Sequence, residues 1–355
     1  MSLQDGMAAI NLEMPKRVPR TEYSAERHWE LTKTVTGINV DITSPKELQK
    51  LASSAFVKAW NYDFIWKVCI FARTDLTECC TDMGHAEYAA GRTDKSDAGN
   101  IHCPFNSPEQ VLELDPLQSY GKKGHEELIH RFEQDYMTNC KANPDAVNVT
   151  GTYITLMSGL IDIFGWDMLL MAAGTDMQKF GDLANRYASW MQQYFDAMAE
   201  SDIPVIMVHD DIVWTSGAFL NPDWYRQYIF PNYKKYFAPL IEAGKKIIYT
   251  SDGNYTEFID DVAATGVHGF VLEPCTDMAY VAEKYGKTHV FVGNADTRIL
   301  LSGTKEEIRA EVERCMDIGK NCPGFFMAVG NHIPSNTPVE NAIYYNQVYE
   351  ELSKR

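Results

Sequence analysis

Basic side chains and paired cysteines are both scarce in this 355-residue chain. It has 32 lysines and arginines against 49 aspartates and glutamates, which gives a net charge of −17. This excess of negative charge disfavours binding to nucleic acid or to an anionic membrane surface, so we expect neither partner. The eight cysteines show no CxxC or CxxH spacing, which argues against a zinc ribbon or a redox pair. We therefore expect reduced thiols in a cytoplasmic protein.

Long apolar runs, leader-peptide features and interdomain linkers are missing as well. No run approaches the roughly 18 apolar residues that a membrane span needs. The first residues lack the basic, apolar and small-residue order of a signal peptide. Because no low-complexity segment interrupts the chain, we predict a single domain over residues 17–355. Residues 1–16 are predicted to be a loose tail or a cloning remnant.

Eight short apolar runs, five of them after residue 200, alternate with segments that begin at helix-capping residues. Runs of four to six apolar, partly β-branched residues between amphipathic helices are typical of buried parallel strands. The pattern predicts an α/β fold, a (β/α)8 TIM barrel with extra N-terminal helices. The long segment 71–145 is predicted to add helices and an active-site lid. The eight runs are 17–24, 62–71, 146–153, 204–211, 246–253, 267–274, 289–296 and 325–332.

Each of the last five runs ends on polar residues. In a TIM barrel the C-terminal ends of the strands meet at one face, where the active site lies. The predicted catalytic residues are Asp210, Asp211, Asp252 and Glu273. Neighbours on a strand point to opposite sides, so one of Asp210 and Asp211 is expected to face the barrel mouth. Carboxylates crowded there raise one another's pKa, as happens at many functional sites.

Further polar residues at the same strand ends are predicted to bind substrate or a metal. A divalent metal, if one binds, is predicted to be held by Asp252, Glu273 and His332, since carboxylates and imidazole are common ligands. His209 is predicted to lie inside its strand, in the core or supporting the site. A capping role is the alternative for the carboxylates. The predicted substrate-binding residues are Tyr23, Thr250, Asn294, Asp296, Asn331 and His332.

The order of these motifs resembles that of the uroporphyrinogen decarboxylase superfamily. The resemblance is good over about residues 145–350 and loose before them. It implies a TIM barrel and one of two activities, porphyrinogen decarboxylation or methyl exchange with corrinoid proteins. The motifs that carry it lie at residues 209–211, 221–222, 250–253, 273–274, 293–296, 301–304 and 337–340.

Two departures separate the chain from the decarboxylases. They resemble one another in an arginine-rich motif near the first strand, which holds substrate carboxylates, whereas this chain has the acidic Glu22 in that segment. They also share a histidine after the last strand, where this chain has Asn331. The acetate and propionate groups of a porphyrinogen need several fixed cations. The resemblance is therefore closer to the corrinoid-linked methyltransferase branch.

A third departure concerns zinc. The thiol-directed methyltransferases share a His-x-Cys motif at the fifth strand and a cysteine after the eighth, which together hold zinc. The matching positions here are Thr250, Asp252 and Asn331. None of these is a good soft ligand, so the resemblance does not support a zinc-activated thiol at that site.

Three functions remain open on these grounds. The leading hypothesis is a methyltransferase that moves a methyl group between a small methylated substrate, such as an ether or amine, and a corrinoid (methylcobalamin) on a separate protein. The second is a decarboxylase-like lyase on a porphyrinogen-related or other carboxylate substrate. The third is a non-catalytic binding protein on the same barrel. Zinc or another divalent metal stays an open cofactor, and the resemblance allows a homodimer.

Overall fold

A parallel sheet forms the centre of the protein in this computed structural model, which describes residues 2–67, 75–76 and 103–355. Within the described residues, the strands are β1 Phe64–Ile65, β2 Val147–Asn148, β3 Thr150–Thr152, β4 Val205–His209, β5 Val213–Trp214, β6 Gly217–Ala218, β7 Lys246–Thr250, β8 Gly269–Val271, β9 Val290–Ala295 and β10 Phe325–Val329. Six of them lie side by side in the order β10-β9-β8-β7-β4-β3, all parallel. A separate antiparallel hairpin, β5-β6, follows β4.

Hydrogen bonds close this sheet into the predicted barrel. The first predicted run, 17–24, forms isolated bridges, and its Arg20 pairs in parallel with Met327 of β10. The Asp63 N–H donates to the Arg20 carbonyl at 2.9 Å, and the Val147 N–H donates to the Asp63 carbonyl at 2.9 Å. Because β2 and β3 belong to one run of the chain, the ring continues through β3 to β4. The barrel fold is therefore confirmed.

Helices surround the strands, as the alternating pattern predicts. The longest, Met177–Glu200, buries an apolar stripe that includes Phe180, Leu183 and Tyr187. The capping box at Thr304 is present, with the Thr304 hydroxyl and the Glu307 carboxylate each accepting from the other residue's N–H. The helices are Leu3–Ile10, Trp29–Thr36, Lys46–Ala59, Pro108–Leu112, Pro116–Tyr120, His125–Ala142, Met157–Thr175, Met177–Glu200, Pro222–Tyr228, Phe230–Glu242, Ile259–Ala263, Met278–Tyr285, Thr297–Ser302, Lys305–Gly319 and Val339–Leu352.

The N-terminal residues depart from the prediction of a loose tail. They form the helix Leu3–Ile10, whose N-cap Ser2 accepts from the Asp5 N–H at 3.0 Å. Ala9 and Ile10 are fully buried. The Ile10 carbonyl also lies 2.5 Å from the His268 side chain. The prediction was wrong because so short an apolar stripe gives little periodic signal, whereas packing against the barrel stabilises the helix.

The segment 71–145 contains the added helices that its length predicts. They are Pro108–Leu112, Pro116–Tyr120 and His125–Ala142. The predicted lid falls largely on residues outside the described part of the chain.

One described helix, Met157–Thr175, has the length and composition of a membrane span. It is not straight, because Gly165 adopts φ 69° and ψ 163° inside it. A left-handed φ of this kind is costly for residues other than glycine. Of its most apolar window, 67% is buried within the protein, so its apolar character is that of a core helix.

Candidate functional site

Three carboxylates and one imidazole converge at the C-terminal ends of β4, β7 and β8. His209 ends β4, and its Nε2 lies 3.2 Å from Asp211 Oδ1. The same Asp211 oxygen accepts from the Asp252 N–H at 2.9 Å, one strand further along the sheet. Glu273 Oε2 accepts from the Gly253 N–H at 3.0 Å. These contacts join three strand ends in series, and we refer to His209, Asp211, Asp252 and Glu273 as the mouth cluster.

Residues from β10 and the first run complete the surroundings of Glu273. The Asn331 side-chain amide donates to Glu273 Oε1, and the Cys275 thiol lies 3.8 Å from Oε2. Asn331 in turn accepts from the His332 N–H at 2.7 Å, and His332 Nδ1 lies 2.6 Å from the Ser24 hydroxyl. Asn331 therefore positions Glu273, while the His332 imidazole faces Ser24.

His209 lies at the end of its strand and is buried, in agreement with its predicted place in the core or in support of the site. Its ring stacks on Tyr153 with centroids 4.1 Å apart and an interplanar angle of 5°. Its Nδ1 lies 3.1 Å from the Tyr153 carbonyl, which can only accept, so Nδ1 carries a proton. Nε2 then faces Asp211. The i, i+2 spacing of His209 and Asp211 was the available signal, since it puts both side chains on one face of a strand.

Charge and burial shift the pKa values of the mouth cluster in opposite directions. Burial opposes the charged imidazole, but Asp211 outweighs it and raises the pKa of His209 to about 9. Burial likewise opposes Asp211 ionisation, yet His209 and the Asp252 N–H lower the pKa of Asp211. Desolvation, together with the Asp211 and Glu273 charges, raises the pKa of Asp252 well above its usual value, although its side chain is open to solvent. Burial, with help from Asp211, also raises the pKa of Glu273. The cluster thus combines one ion pair with carboxyls that retain a proton readily.

Asp210 has a structural place, which corrects its predicted catalytic role. One carboxylate oxygen accepts from the N–H groups of Leu156 at 3.1 Å and Ser158 at 2.7 Å. The other accepts from the Met157 N–H at 3.1 Å and from the Tyr233 hydroxyl. The side chain is fully buried. It caps the N-terminus of Met157–Thr175, where free N–H groups need acceptors.

Three predicted substrate-binding residues, Asp296, Asn294 and Thr250, form hydrogen bonds that hold the loops and strands around the site. Asp296 caps the helix Thr297–Ser302 and pairs with Arg298 at 2.6 Å, so the contacts that the structure shows for it are structural, and its predicted substrate binding stays a prediction. Asn294 donates to the carbonyls of Glu273 and Thr276, each at 3.1 Å, and so fixes the loop after β8. Thr250 pairs with His209 in the sheet, and the Thr250 carbonyl accepts from the Asp210 N–H at 3.0 Å.

Tyr23 lies beside the mouth cluster, as predicted. Its side chain is 6% exposed and packs edge-on against Trp66, with ring centroids 4.9 Å apart. The hydroxyl has no hydrogen-bond partner among the residues that the structure describes. Burial raises the pKa of this hydroxyl well above 10, and the charges of Glu22, Asp252 and Glu273 add to the effect. Tyr23 is therefore a neutral hydrogen-bond donor within electrostatic reach of two cluster carboxylates.

An aromatic rim borders the cluster and was missed by the sequence analysis. The β5-β6 hairpin packs so closely on Gly253, at φ 86°, that a Cβ there would lie 2.8 Å from the Trp214 backbone. Trp214 is 44% exposed and contacts Phe219 and Trp166, with ring centroids 5.4 Å and 5.6 Å away. An apolar surface therefore adjoins the acidic mouth.

The side chains that are spaced to hold a metal ion differ from the predicted set. Within the described residues, one group of side chains is spaced to hold an ion: His209, Asp211 and Asp252 offer ligand atoms within 4.8 Å of one another. Of the predicted set, only Asp252 belongs to it, because Glu273 is bonded to Asn331 and the His332 imidazole to Ser24. The thiol-directed zinc site does not fit either, since its positions hold Thr250, Asp252 and Asn331.

Comparison with known proteins identifies the family and the fold of the chain. The sequence profile of the family described as "Uroporphyrinogen decarboxylase (URO-D)" matches residues 101–351. The uroporphyrinogen decarboxylase of Carboxydothermus hydrogenoformans is 29% identical over 176 residues, which cover 50% of this chain and 49% of that protein. That of a Thermus thermophilus strain is 29% identical over 171 residues, covering 48% of each. The matched segment thus spans about half the length of these curated relatives.

A solved structure resembles the whole chain. A methyltransferase from Methanosarcina mazei superposes with a TM-score of 0.65 at 19% sequence identity, and the match covers 99% of both chains. At this identity the likeness concerns the fold.

Proposed function

This chain belongs to the uroporphyrinogen decarboxylase (URO-D) family, and from that membership we propose that it is a methyltransferase. In this proposal it moves a methyl group between a small methylated substrate, such as an ether or an amine, and a corrinoid carried on a separate protein. The observation that carries the proposal is the mouth cluster. Among the described residues, no lysine or arginine forms an ion pair with Asp211, Asp252 or Glu273. Such a mouth suits a neutral or cationic substrate better than a polyanion.

Removal of the methyl group sets the chemical demand on the site. The methyl group leaves without the bonding electrons and goes to the nucleophilic cobalt of the corrinoid. The substrate heteroatom keeps the electron pair and must gain a proton. General acid assistance to such a leaving group is worth roughly 10²–10⁴ in rate. The chain's contribution is therefore to bind the heteroatom, orient it and supply a proton.

Glu273 and Asp252 are suited to these tasks in different ways. Glu273 is held by Asn331 and the Gly253 N–H, and burial raises its pKa, which favours a carboxyl that can carry and donate a proton. The Asp252 carboxylate accepts no hydrogen bond from the described residues and is open to the mouth. It can thus contact the substrate heteroatom directly. The Tyr23 hydroxyl adds a hydrogen-bond donor within electrostatic reach of Asp252 and Glu273.

Arg20 supports the distinction from a uroporphyrinogen decarboxylase. Its guanidinium is fully buried, pairs with Glu22 at 2.5 Å and lies over the Trp60 and Tyr349 rings. It cannot reach substrate carboxylates from that position without breaking these contacts. A porphyrinogen with several carboxylates would also meet the acidic cluster. Its binding would cost free energy rather than gain charge-assisted hydrogen bonds.

A decarboxylase-like lyase is the second candidate, because the curated relatives named above are uroporphyrinogen decarboxylases. Its substrate would be a porphyrinogen-related molecule or another carboxylate. The two candidates differ in product, since one releases CO2 and the other methylates a corrinoid.

The test is an anaerobic assay with cob(I)alamin and a panel of methylated ethers and amines. We expect the absorbance of cob(I)alamin to fall with at least one substrate, and we expect no turnover of uroporphyrinogen. Asp252→Asn and Glu273→Gln should each lower the rate by about 10²–10⁴, whereas Asp296→Asn should retain it. Release of CO2 from uroporphyrinogen at rates ordinary for enzymes would favour the lyase. Tight substrate binding without either product would indicate the non-catalytic alternative.

A further inference from the structure

We propose that His209, Asp211 and Asp252 bind one divalent cation at the junction of β4 and β7. The inference rests on the proposed function only for the cation's purpose, because binding can be measured without turnover. It gives the mouth cluster a ligand that none of the family comparisons assigns.

The spacing of the three side chains suits a common ion. Their ligand atoms all lie within 4.8 Å of one another. Nitrogen and oxygen ligands bind zinc at about 2.0–2.2 Å, so two ligands of a tetrahedral site are about 3.4 Å apart. Side-chain rotations that shorten the widest separation by up to about 1.4 Å would bring all three atoms into range.

The orientation of His209 resembles that of a metal-ligating histidine. Such residues usually donate the N–H of the non-ligating nitrogen to a carbonyl or carboxylate, which fixes the ring and its tautomer. Here Nδ1 donates to the Tyr153 carbonyl at 3.1 Å, and the Tyr153 ring stacks on the imidazole face. Nε2 consequently points at Asp211 Oδ1, 3.2 Å away. The Nε2 lone pair of His209 and the Asp211 carboxylate would repel each other without a positive charge between them. Either a proton on Nε2 or a bound metal cation can provide that charge.

Two polar groups at the site, one in the trio and one beside it, accept or donate no hydrogen bond within the described residues. The Asp252 carboxylate is one of them. The other is the Tyr23 hydroxyl, which is more than nine-tenths buried and lies within electrostatic reach of Asp252 and Glu273. A buried hydroxyl without a partner is unfavourable, because it has given up its hydrogen bonds to water. A water or substrate atom on a bound cation would satisfy it.

The donor set selects the kind of ion and of substrate. One imidazole and two carboxylates favour Zn²⁺, Mn²⁺, Fe²⁺ or Co²⁺ over thiophilic ions. Three protein ligands leave a position open, as in catalytic zinc sites. The proposed ligand set shares only the position of Asp252 with the zinc site of the thiol-directed methyltransferases. Its other two ligands are His209, which ends β4, and Asp211, which follows β4. We therefore assign to the open position an oxygen or nitrogen atom of the methylated substrate rather than a thiol.

The test measures metal binding on the full chain. Protein stripped with a chelator and dialysed is titrated with Co²⁺ and Zn²⁺ by calorimetry and by the visible spectrum of Co²⁺. We expect one equivalent per chain. His209→Gln, Asp211→Asn and Asp252→Asn should each weaken binding at least tenfold. Asp252→Asn alters a solvent-open side chain and so keeps the test valid if a buried variant fails to fold. Asp296→Asn is the matched control and should bind as the parent does.

Each alternative result has a distinct meaning. Undiminished affinity in the folded Asp252→Asn protein, or no stoichiometric binding in the parent, overturns the proposal. Affinity lost only in Glu273→Gln also overturns it, because the ion would then lie outside the trio. Methyl transfer at full rate by chelator-treated, metal-free protein overturns the cation's role but leaves the proposed function in place. Stoichiometric binding without methyl transfer on any substrate supports the site and contradicts the proposed function.

Discussion

Two polar clusters lie inside this barrel, and they differ in how completely their charges are matched. In the seam cluster, where the barrel closes, two arginines face two carboxylates: Arg20 pairs with Glu22 at 2.5 Å and Arg17 with Asp63 at 2.6 Å. Both oxygens of each carboxylate also accept from backbone or tyrosine groups. In the mouth cluster, three carboxylates share a single imidazole.

The difference separates a structural network from a functional one. Buried charges are tolerated when paired and hydrogen-bonded, and removal of one partner is costly. Like charges crowded without counter-ions destabilise the fold, and such clusters are typical of sites that bind or react. The seam cluster should therefore control stability, and the mouth cluster should control activity.

The largest expected effect is on the rate, at the mouth. Asp252→Asn should lower methyl transfer by about 10²–10⁴ and leave the free energy of unfolding unchanged or higher, because one crowded carboxylate is neutralised. Steady-state assays and urea denaturation of the same preparation measure both quantities. A variant that loses both stability and activity would show that Asp252 is part of the structural network.

The next largest effect is on stability, at the seam. Arg20→Ala should lower the free energy of unfolding by about 3–5 kcal/mol, because it leaves Glu22 charged and buried without its partner. Arg298→Ala removes an exposed ion pair and is the control, with an expected change below about 1 kcal/mol. Similar losses in the two variants would contradict the comparison.

Neighbouring aspartates allow a sharper version of the test. Asp210→Asn should destabilise the protein by about 1–3 kcal/mol. The side-chain NH2 of asparagine would replace one carboxylate oxygen, so at least one backbone N–H that now donates to Asp210 would lose its acceptor. Asp211→Asn, one residue later, removes the anionic partner of the buried His209 imidazole, so it should also cost stability, and it should reduce activity as well. Folded Asp210→Asn protein should keep its activity, and an equal loss of activity in the two folded variants would mean that Asp210 also acts in the mouth cluster.

The smallest effect is expected at Asp296. Asp296→Ala removes a helix cap and should cost about 1 kcal/mol of stability, with activity unchanged. Thermal unfolding and the cobalamin assay measure the two quantities. A loss of activity greater than tenfold would support Asp296 as a substrate-binding residue.

Much of the barrel was predictable because buried parallel strands are apolar on both faces. β4, β7, β9 and β10 all lie within predicted runs. The run 17–24 was predicted as a strand but forms only isolated bridges. Its Pro19 lacks an N–H and cannot donate to a ladder, so the closure there depends on a few hydrogen bonds.

The site was predictable in part. Asp252 and Glu273 meet as expected because both follow β-strands directly. His209 was predicted only to lie in the core or to support the site. Its i, i+2 spacing from Asp211 allowed their contact, but the stacking on Tyr153 that orients the ring depends on a distant segment. The hairpin beside Gly253 was missed because its two strands are only two residues each, too short for alternation to show.

The sequence by itself determined where most of the barrel strands lie and which of them are followed by carboxylates, because these follow from local apolar patterns along the chain. Only the tertiary structure decided what each carboxylate does. Asp210 is enclosed by the N–H groups of a helix that begins more than fifty residues earlier, whereas Asp211 meets His209 and the end of β7. The partners of a charged group come from distant segments, and it is the partners that set its pKa and its role.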